Sequence, residues 1–153
     1  SVAEAVFLRD HVLRQVELAE QATDPAERAA RATFVVVGAG YTGTELVAQG
    51  QQLTRSALRG RRGLAESDVK WVLVDMAPRV LPGLDERLSA PAARVLRARG
   101  VDVRLKTSVE GVTAECAKLT DGSEIPTRTL VWCVGVQPDP LVESVSLATV
   151  TST

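Results

Sequence analysis

The chain has 153 residues, of which 45% are hydrophobic and 24% are charged, and its formal net charge is -1. This composition is typical of one soluble globular domain that can bury its own core. The near-zero charge excludes a strong electrostatic attraction to nucleic acid or to an anionic membrane, and no apolar run approaches the roughly 18 residues that span a bilayer.

The first thirty residues predict two helices. Between residues 2 and 20, apolar side chains recur every three or four positions, at Ala5, Leu8, Val12, Val16 and Ala19. This spacing forms the stripe of an amphipathic helix. In "ATDPAERAAR", Asp24 suits the N-cap and Pro25 suits the first helical position, which predicts a second, short helix.

An alternation of strands and helices follows. "FVVVG" and "VKWVLVD" are apolar runs typical of strands buried on both faces, and the segment between them from Gly43 has helical spacing and ends in a polar loop. "ERLSAPAARVLRARG" predicts a helix with a glycine C-cap. Its start is open: either Ser89 caps it with Pro91 in the first turn, or it begins near Asp85 and kinks. "VDVRLKT" is the third strand.

The alternation then ends. "SVEGVTAECAKLTDGSEIPT" contains short β-type pieces, and its Asp121-Gly122 pair is a hairpin-turn signal, so we expect an antiparallel three-stranded β-meander. "RTLVWCVG" predicts a last buried strand, which "VQPDPL" ends. The order predicts an α/β fold: a Rossmann-like parallel sheet with flanking helices and the meander.

Gly38, Gly40 and Gly43 form G-x-G-x-x-G between the first strand and its helix. In a dinucleotide site the first glycine makes a tight turn, the second lets the backbone approach a pyrophosphate, and the third packs helix on strand. The amides of Tyr41 and Thr42 would face the phosphates at the positive end of the helix dipole. The alternative is a glycine-rich turn that binds nothing.

Asp75 ends the second strand, where an acid accepts hydrogen bonds from the adenosine ribose. Its distance from the glycines exceeds the usual interval of about twenty residues, and we attribute the excess to the longer helix and polar loop. A carboxylate there repels a 2′-phosphate, which favours NAD(H) over NADP(H). Arg79 could soften that preference, but it is better interpreted as a loop cation, and Asp75 could instead be a simple turn residue.

These segments together resemble the NAD(H)-binding domain of a flavoprotein with two dinucleotide folds, most closely type II NADH dehydrogenase. The matching text is "FVVVGAGYTGTEL", "VLVDMAPRVLPGLDERLS", "RGVDVRLKTSVEGV" and "LTDGSEIPTRTLVWCVGVQPDPL". In that family the NAD domain is inserted in an FAD domain. The resemblance therefore implies a piece of a longer protein: linker helices over residues 1–32, the NAD(H)-binding domain over 33–142, and a tail over 143–153 that leads back to the FAD domain.

The resemblance also implies cofactor-binding residues, and we expect no catalytic residue in this chain. We expect no metal site either, because Cys116 and Cys133 are far apart and suit small core residues within strands, and the only histidine, His11, is expected on a distant helix, where a surface or capping role fits it better than a catalytic one. The family's positions fall on Gly38, Gly40, Tyr41, Thr42, Gly43, Glu45, Asp75 and Gly135. Asp75 stands where the family usually has Glu. Glu45 matches an acid near the nicotinamide and Gly135 a glycine beside the dinucleotide; an ordinary first-turn acid and a strand-ending turn are the alternatives.

The expected function is NADH binding within an FAD-dependent NADH dehydrogenase, whose electrons pass to quinone or another acceptor. The expected partners are NADH, the FAD domain of the parent chain and the acceptor, with no nucleic acid. The expected location is cytoplasmic, with the parent protein peripheral on the cytoplasmic face of the membrane. Three alternatives stay open: a ferredoxin, rubredoxin or disulfide reductase, a non-enzymatic NAD(H)-sensing module, and a methyltransferase.

Overall fold

The structure, a computed structural model, describes residues 2–135. Its helices are α1 (Val2–Gln21), α2 (Pro25–Arg31), α3 (Tyr41–Leu58) and α4 (Glu86–Ala98). Its strands are β1 (Thr33–Val37), β2 (Lys70–Asp75), β3 (Asp102–Leu105), β4 (Val109–Val112), β5 (Cys116–Leu119), β6 (Glu124–Pro126) and β7 (Thr129–Trp132). A short 3-10 helix, Glu66–Asp68, lies in the polar loop before β2. The expected tail over residues 143–153 lies outside the described residues.

Two sheets form the framework. The larger has the strand order β3-β2-β1-β7 with every neighbouring pair parallel, and the smaller is the antiparallel meander β4-β5-β6. The predicted fold class is confirmed. The connection from β1 to β2 is the helix α3, whereas the connection from β3 to β7 is the meander.

The two faces of the parallel sheet are covered by different elements. Along β1, Phe34 and Val36 pack in a core with residues of α1, α3 and α4, while Val35 and Val37 pack with Leu119 and other residues of the meander. Alternate side chains of a strand point to opposite faces, so a strand with a core on each side needs an apolar residue at every position. This explains the uninterrupted run "FVVV".

Helix α3 approaches β2 most closely at Gly50. Gly50 faces Trp71, and a Cβ placed at Gly50 would lie 2.2 Å from the indole. The indole stacks on Phe34 with ring centroids 4.7 Å apart, and its Nε1 donates to the Thr54 hydroxyl at 3.2 Å. The glycine therefore sets how near the helix approaches the sheet.

The helix ends show how local chemistry sets the boundaries. Asp24 caps α2 as predicted, accepting from the backbone N–H of Ala26. Helix α4 begins after Asp85, which caps it, so the second alternative for its start is confirmed and Ser89 lies buried inside the helix. Pro91 lies within α4. It removes only the hydrogen bond to the carbonyl of Arg87, a residue that is exposed to solvent.

Two expectations about burial are wrong. We expected "RTLVWCVG" to be a buried strand, but Trp132 is 56% exposed because β7 is the edge strand of the sheet. We also expected both cysteines to be core residues within strands. Cys116 is only partly buried at the start of β5, and Cys133 lies just beyond β7 and is also only partly buried.

Candidate functional site

The candidate site lies at the carboxyl ends of the parallel strands. Residues 38–43, here called the glycine loop, leave β1 between its two neighbours: the Gly38 N–H donates to the Val74 carbonyl at 2.8 Å, and the Cys133 N–H donates to the Val37 carbonyl at 2.8 Å. After β1 the chain passes to the face of the sheet that α3 covers, whereas it enters β7 from the face that the meander covers. Such a switch point opens a crevice where ligands bind in open α/β sheets.

Two of the three glycines are required by the protein's own packing. Gly38 has φ of +106°, a conformation that favours glycine, and a Cβ there would lie 2.8 Å from the Cys133 carbonyl oxygen. A Cβ at Gly43 would lie 1.8 Å from the Gly38 carbonyl oxygen. The helix can start directly against the loop only because both side chains are absent.

Gly40 has no such packing reason. It is the N-cap of α3 with φ of -72°, and a Cβ there would meet no atom of residues 2–135 within 4 Å. The backbone N–H groups of Tyr41, Thr42 and Gly43 follow it, and no side chain within the described residues caps this end of the helix. Helix starts normally satisfy these donors with a side chain, water or a ligand. An open backbone face beside uncapped amides fits an anionic group such as a pyrophosphate.

The Asp75 carboxylate contacts the backbone of the glycine loop. Its Oδ2 accepts from the Ala39 N–H at 2.5 Å and its Oδ1 accepts from the Ala77 N–H at 2.6 Å. A carboxylate oxygen has two lone pairs, so each oxygen can accept a further hydrogen bond from a ribose hydroxyl. The position predicted from the sequence is compatible with ribose binding, and the carboxylate also holds the loop.

A further set of contacts, which could not be predicted from the sequence, holds the glycine loop at the Ala39 carbonyl. The Leu81 N–H donates to the Ala39 carbonyl at 2.7 Å, and the Thr44 hydroxyl donates to the same carbonyl at 3.2 Å. Leu81 has φ of +50°, which is uncommon for a residue with a side chain. Arg79 folds inward, and its Nη2 donates to the carbonyls of Pro82 at 3.1 Å and Leu84 at 3.3 Å.

Of the remaining predicted residues, Tyr41 and Thr42 belong to the glycine loop, whereas Glu45 and Gly135 lie outside it. Tyr41 is 66% exposed, and Thr42 and Glu45 are exposed on the first turns of α3. Gly135 follows β7, with φ of +82° and open space around the position of a Cβ. Burial raises the pKa of the Cys133 thiol next to the loop, which keeps it neutral and leaves the amides without a competing anion.

Other sequence candidates lie away from this edge. A cavity of about 760 Å³ is lined by residues near the amino ends of the strands, including Thr33, Lys70 and Asp102. It therefore lies opposite the glycine loop. The His11 ring pairs with the Thr129 hydroxyl at 2.9 Å at the start of β7.

Charged groups elsewhere are used in ion pairs. Arg61 contacts Glu17 and Glu20 of α1, and Arg55 contacts Glu66. Within the described residues there is no cluster of three or more potential metal ligands. No helix in residues 2–135 has the length and apolar character that a membrane crossing requires.

Comparison with known proteins identifies a family model and relatives that the chain matches over most of its length. Residues 2–152 match the family model described as pyridine nucleotide-disulphide oxidoreductase. The chain is 39% identical over 146 residues to the type II NADH:quinone oxidoreductase NdhA of Mycobacterium tuberculosis, covering 92% of this chain and 31% of that protein. Its identity to Ndh of the same organism is 36%, again over 92% of this chain and 32% of the relative.

A solved structure supports the same fold. NDH2 from Plasmodium falciparum in complex with NADH superimposes with a TM-score of 0.81 at 15% sequence identity, covering 94% of this chain and 30% of that one. The chain thus spans about a third of the length of the relatives that it matches. Since the family model covers nearly the whole sequence, the chain belongs to the pyridine nucleotide-disulphide oxidoreductase family.

Proposed function

We propose that this chain is the NADH-binding domain of an FAD-dependent NADH:quinone oxidoreductase. The observation that carries the proposal is the glycine loop, where the open backbone face of Gly40 adjoins the uncapped N–H groups of Tyr41, Thr42 and Gly43. The two mycobacterial relatives that the chain matches over 92% of its length are type II NADH:quinone oxidoreductases, which supports this activity over a methyltransferase or a sensing module.

In this proposal the chain binds and orients, and it supplies no reacting group. The amides of the glycine loop hold the pyrophosphate, Asp75 accepts from the adenosine ribose, and Gly135 and Glu45 lie toward the nicotinamide. NADH supplies the hydride, which passes to a flavin held by a part of the parent protein outside this chain. Quinone is the proposed acceptor, so the parent would work at the cytoplasmic face of the membrane in which quinone dissolves.

NADH is the proposed cofactor rather than NADPH. In this proposal the Asp75 carboxylate accepts from the adenosine ribose, so a 2′-phosphate on that ribose would come close to it, and like charges at close range repel. Arg79 is the cation that, judged from the sequence, could soften this preference for NADH. Its Nη2 already donates to the carbonyls of Pro82 and Leu84, so in this proposal it does not serve as a 2′-phosphate ligand.

The test is calorimetric titration of the purified chain with NADH, NADPH and S-adenosylmethionine under one set of conditions. We expect saturable binding of NADH and no heat with the methyl donor. NADPH should bind more weakly by about tenfold or more, which is the effect of one uncompensated charge contact. Absence of NADH binding, or binding of the methyl donor alone, would refute the proposal. Equal affinity for NADH and NADPH would remove the role of Asp75 in cofactor choice.

A further inference from the structure

Arg79 has no assigned role, yet its guanidinium lies inside the loop that touches the dinucleotide-binding backbone. This inference rests on the proposed function, because it concerns how the dinucleotide site is held in shape. The segment involved is residues 76–84, here called the β2–α4 loop. Val80 within it is fully buried in the core on the helix side of the sheet.

The first step is the contact between the β2–α4 loop and the glycine loop. The Leu81 N–H donates to the Ala39 carbonyl at 2.7 Å. No cis peptide bond occurs in the described residues, so the Ala39–Gly40 peptide is planar and trans. In such a unit the carbonyl of Ala39 and the N–H of Gly40 point in opposite directions. Fixing the Ala39 oxygen therefore also fixes the direction of the Gly40 N–H in the glycine loop.

The second step is what holds Leu81 in place. Leu81 has φ of +50°, a sparsely populated conformation that persists only where the surroundings impose it. Its carbonyl accepts from the Leu84 N–H at 2.9 Å, which closes a turn. Arg79 closes the same turn from its side chain, because Nη2 donates to the carbonyls of both Pro82 and Leu84. The guanidinium thus links Arg79, which precedes Leu81, to the backbone that follows Leu81.

The half-buried, hydrogen-bonded position of Arg79 argues against a role as a freely exposed cation. Its Nε is buried without a hydrogen-bond partner in the described residues, so the side chain pays a desolvation cost to stay folded inward. We infer that Arg79 is a positioning residue for dinucleotide binding: through Leu81 and Ala39 it orients the Gly40 amide toward the pyrophosphate.

The test compares four chains: the unchanged protein, R79M, R79K and R94M. Methionine keeps an unbranched apolar stem and removes every donor. Lysine keeps one charged donor group whose nitrogen falls about one bond short of the two carbonyls. Arg94 is the matched control, since it is exposed, lines the same cavity of about 360 Å³ as Arg79, and makes no hydrogen bond or ion pair within the described residues.

For each chain, the affinities for NADH and NADPH are measured by calorimetry well below the melting temperature, together with amide proton exchange at Leu81. We expect R79M to weaken NADH binding about tenfold and R79K about threefold, the range set by one or two lost hydrogen bonds. The NADPH-to-NADH affinity ratio should stay constant, and Leu81 exchange should accelerate. R94M should change the affinity by less than about twofold, since it removes only an exposed charge.

Each contrary outcome has a distinct meaning. Unchanged NADH affinity in R79M overturns the inference while the proposed function stands. Loss of NADPH binding alone would make Arg79 a 2′-phosphate contact and also overturns it. If R79M does not fold, R79K alone decides, and unaltered affinity together with unaltered Leu81 exchange refutes the inference. An unchanged protein that binds no NADH refutes the proposed function, and the inference falls with it.

Discussion

At the scale of single residues, Gly40 separates folding from binding more cleanly than its two partners in the motif. A Cβ at Gly40 would meet nothing within 4 Å, whereas at Gly43 it would overlap the Gly38 carbonyl. We expect G40A to keep its unfolding free energy to within about 1 kcal/mol, because its backbone angles suit alanine. It should still weaken NADH binding about tenfold or more, since the added methyl occupies the face that a pyrophosphate would approach.

The control for G40A is G111A, in the meander, where a Cβ also meets nothing within 4 Å and φ is not positive. That variant should keep both stability and NADH affinity. Urea unfolding and calorimetry measure the two quantities. NADH affinity in G40A equal to that of the unchanged chain would mean that the open face of the loop is not the ligand face.

Asp75 combines two tasks that the sequence suggested only in part. In D75N one of the two acceptor oxygens becomes an NH₂ group, so either Ala39 or Ala77 loses its acceptor. We expect a loss of about 1–3 kcal/mol of unfolding free energy and weaker binding of both NADH and NADPH. D75E keeps the carboxylate and should lose less affinity for NADH than D75N. Loss of selectivity without loss of stability in D75N would show that the carboxylate does not hold the glycine loop.

At the scale of elements, the approach of α3 to the sheet depends on the contact between Gly50 and Trp71. A methyl at position 50 would overlap the indole at 2.2 Å, so G50A should lower the unfolding free energy by about 1–3 kcal/mol. A double-mutant cycle with W71F measures the coupling, since a smaller ring leaves room for the methyl. If the effects of G50A and W71F on the unfolding free energy are additive, the added methyl does not press on the indole, and the helix has shifted away from the sheet at little cost. G111A again serves as the control for a glycine with free space.

The junction between α1 and β7 predicts a pH dependence. Burial lowers the pKa of His11, so the unfolded chain binds the proton more readily than the folded chain. Stability from this source is present above the unfolded value of 6.5 and declines as the pH falls below it. H11Q, which can still hydrogen-bond to Thr129, should show a shallower loss of stability.

Urea unfolding about one pH unit above and below the ordinary histidine pKa measures that slope. The comparison with H11Q is needed because hydrogen bonds from Arg61 and Arg128 lower the pKa values of Glu20 and Glu27, which adds an acid-side loss of stability in both chains. Identical slopes in the two chains would show that His11 contributes nothing to the pH dependence.

Much of the framework could be predicted from the sequence because it rests on local rules. The apolar periods, the Asp24 cap and the Asp121-Gly122 turn each depend on neighbouring residues, and each lies in the element that the sequence indicated. The contacts of Leu81 and Arg79 could not be predicted, because they depend on where a distant loop lies against Ala39. The exposure of Trp132 could not be foreseen either, since a strand's place at the edge of a sheet is a property of the whole topology.

At the scale of the whole molecule, α1 belongs to the same hydrophobic core as α3, and α2 is joined to the start of β7 by an ion pair. Val12, Val16 and Ala19 of α1 are at most 2% exposed in the main core. In α2, Glu27 pairs with Arg31 and with Arg128, which lies beside β7. The proposed boundary between residues 1–32 and 33–142 therefore does not separate two hydrophobic cores. Helix α1 contributes to the core that supports the glycine loop.

The last prediction separates binding from turnover. The candidate site offers backbone amides and carboxylates, and none of these can accept a hydride. We therefore expect the chain to bind NADH but not to oxidise it when FAD and a soluble quinone are added, as followed by the absorbance of the reduced nicotinamide. Calorimetry on the same preparation controls for folded, binding-competent protein. Turnover at about 1 per second or faster, the ordinary range for enzymes, would show that the flavin site lies within these 153 residues, contrary to the proposed division between this domain and the rest of its parent.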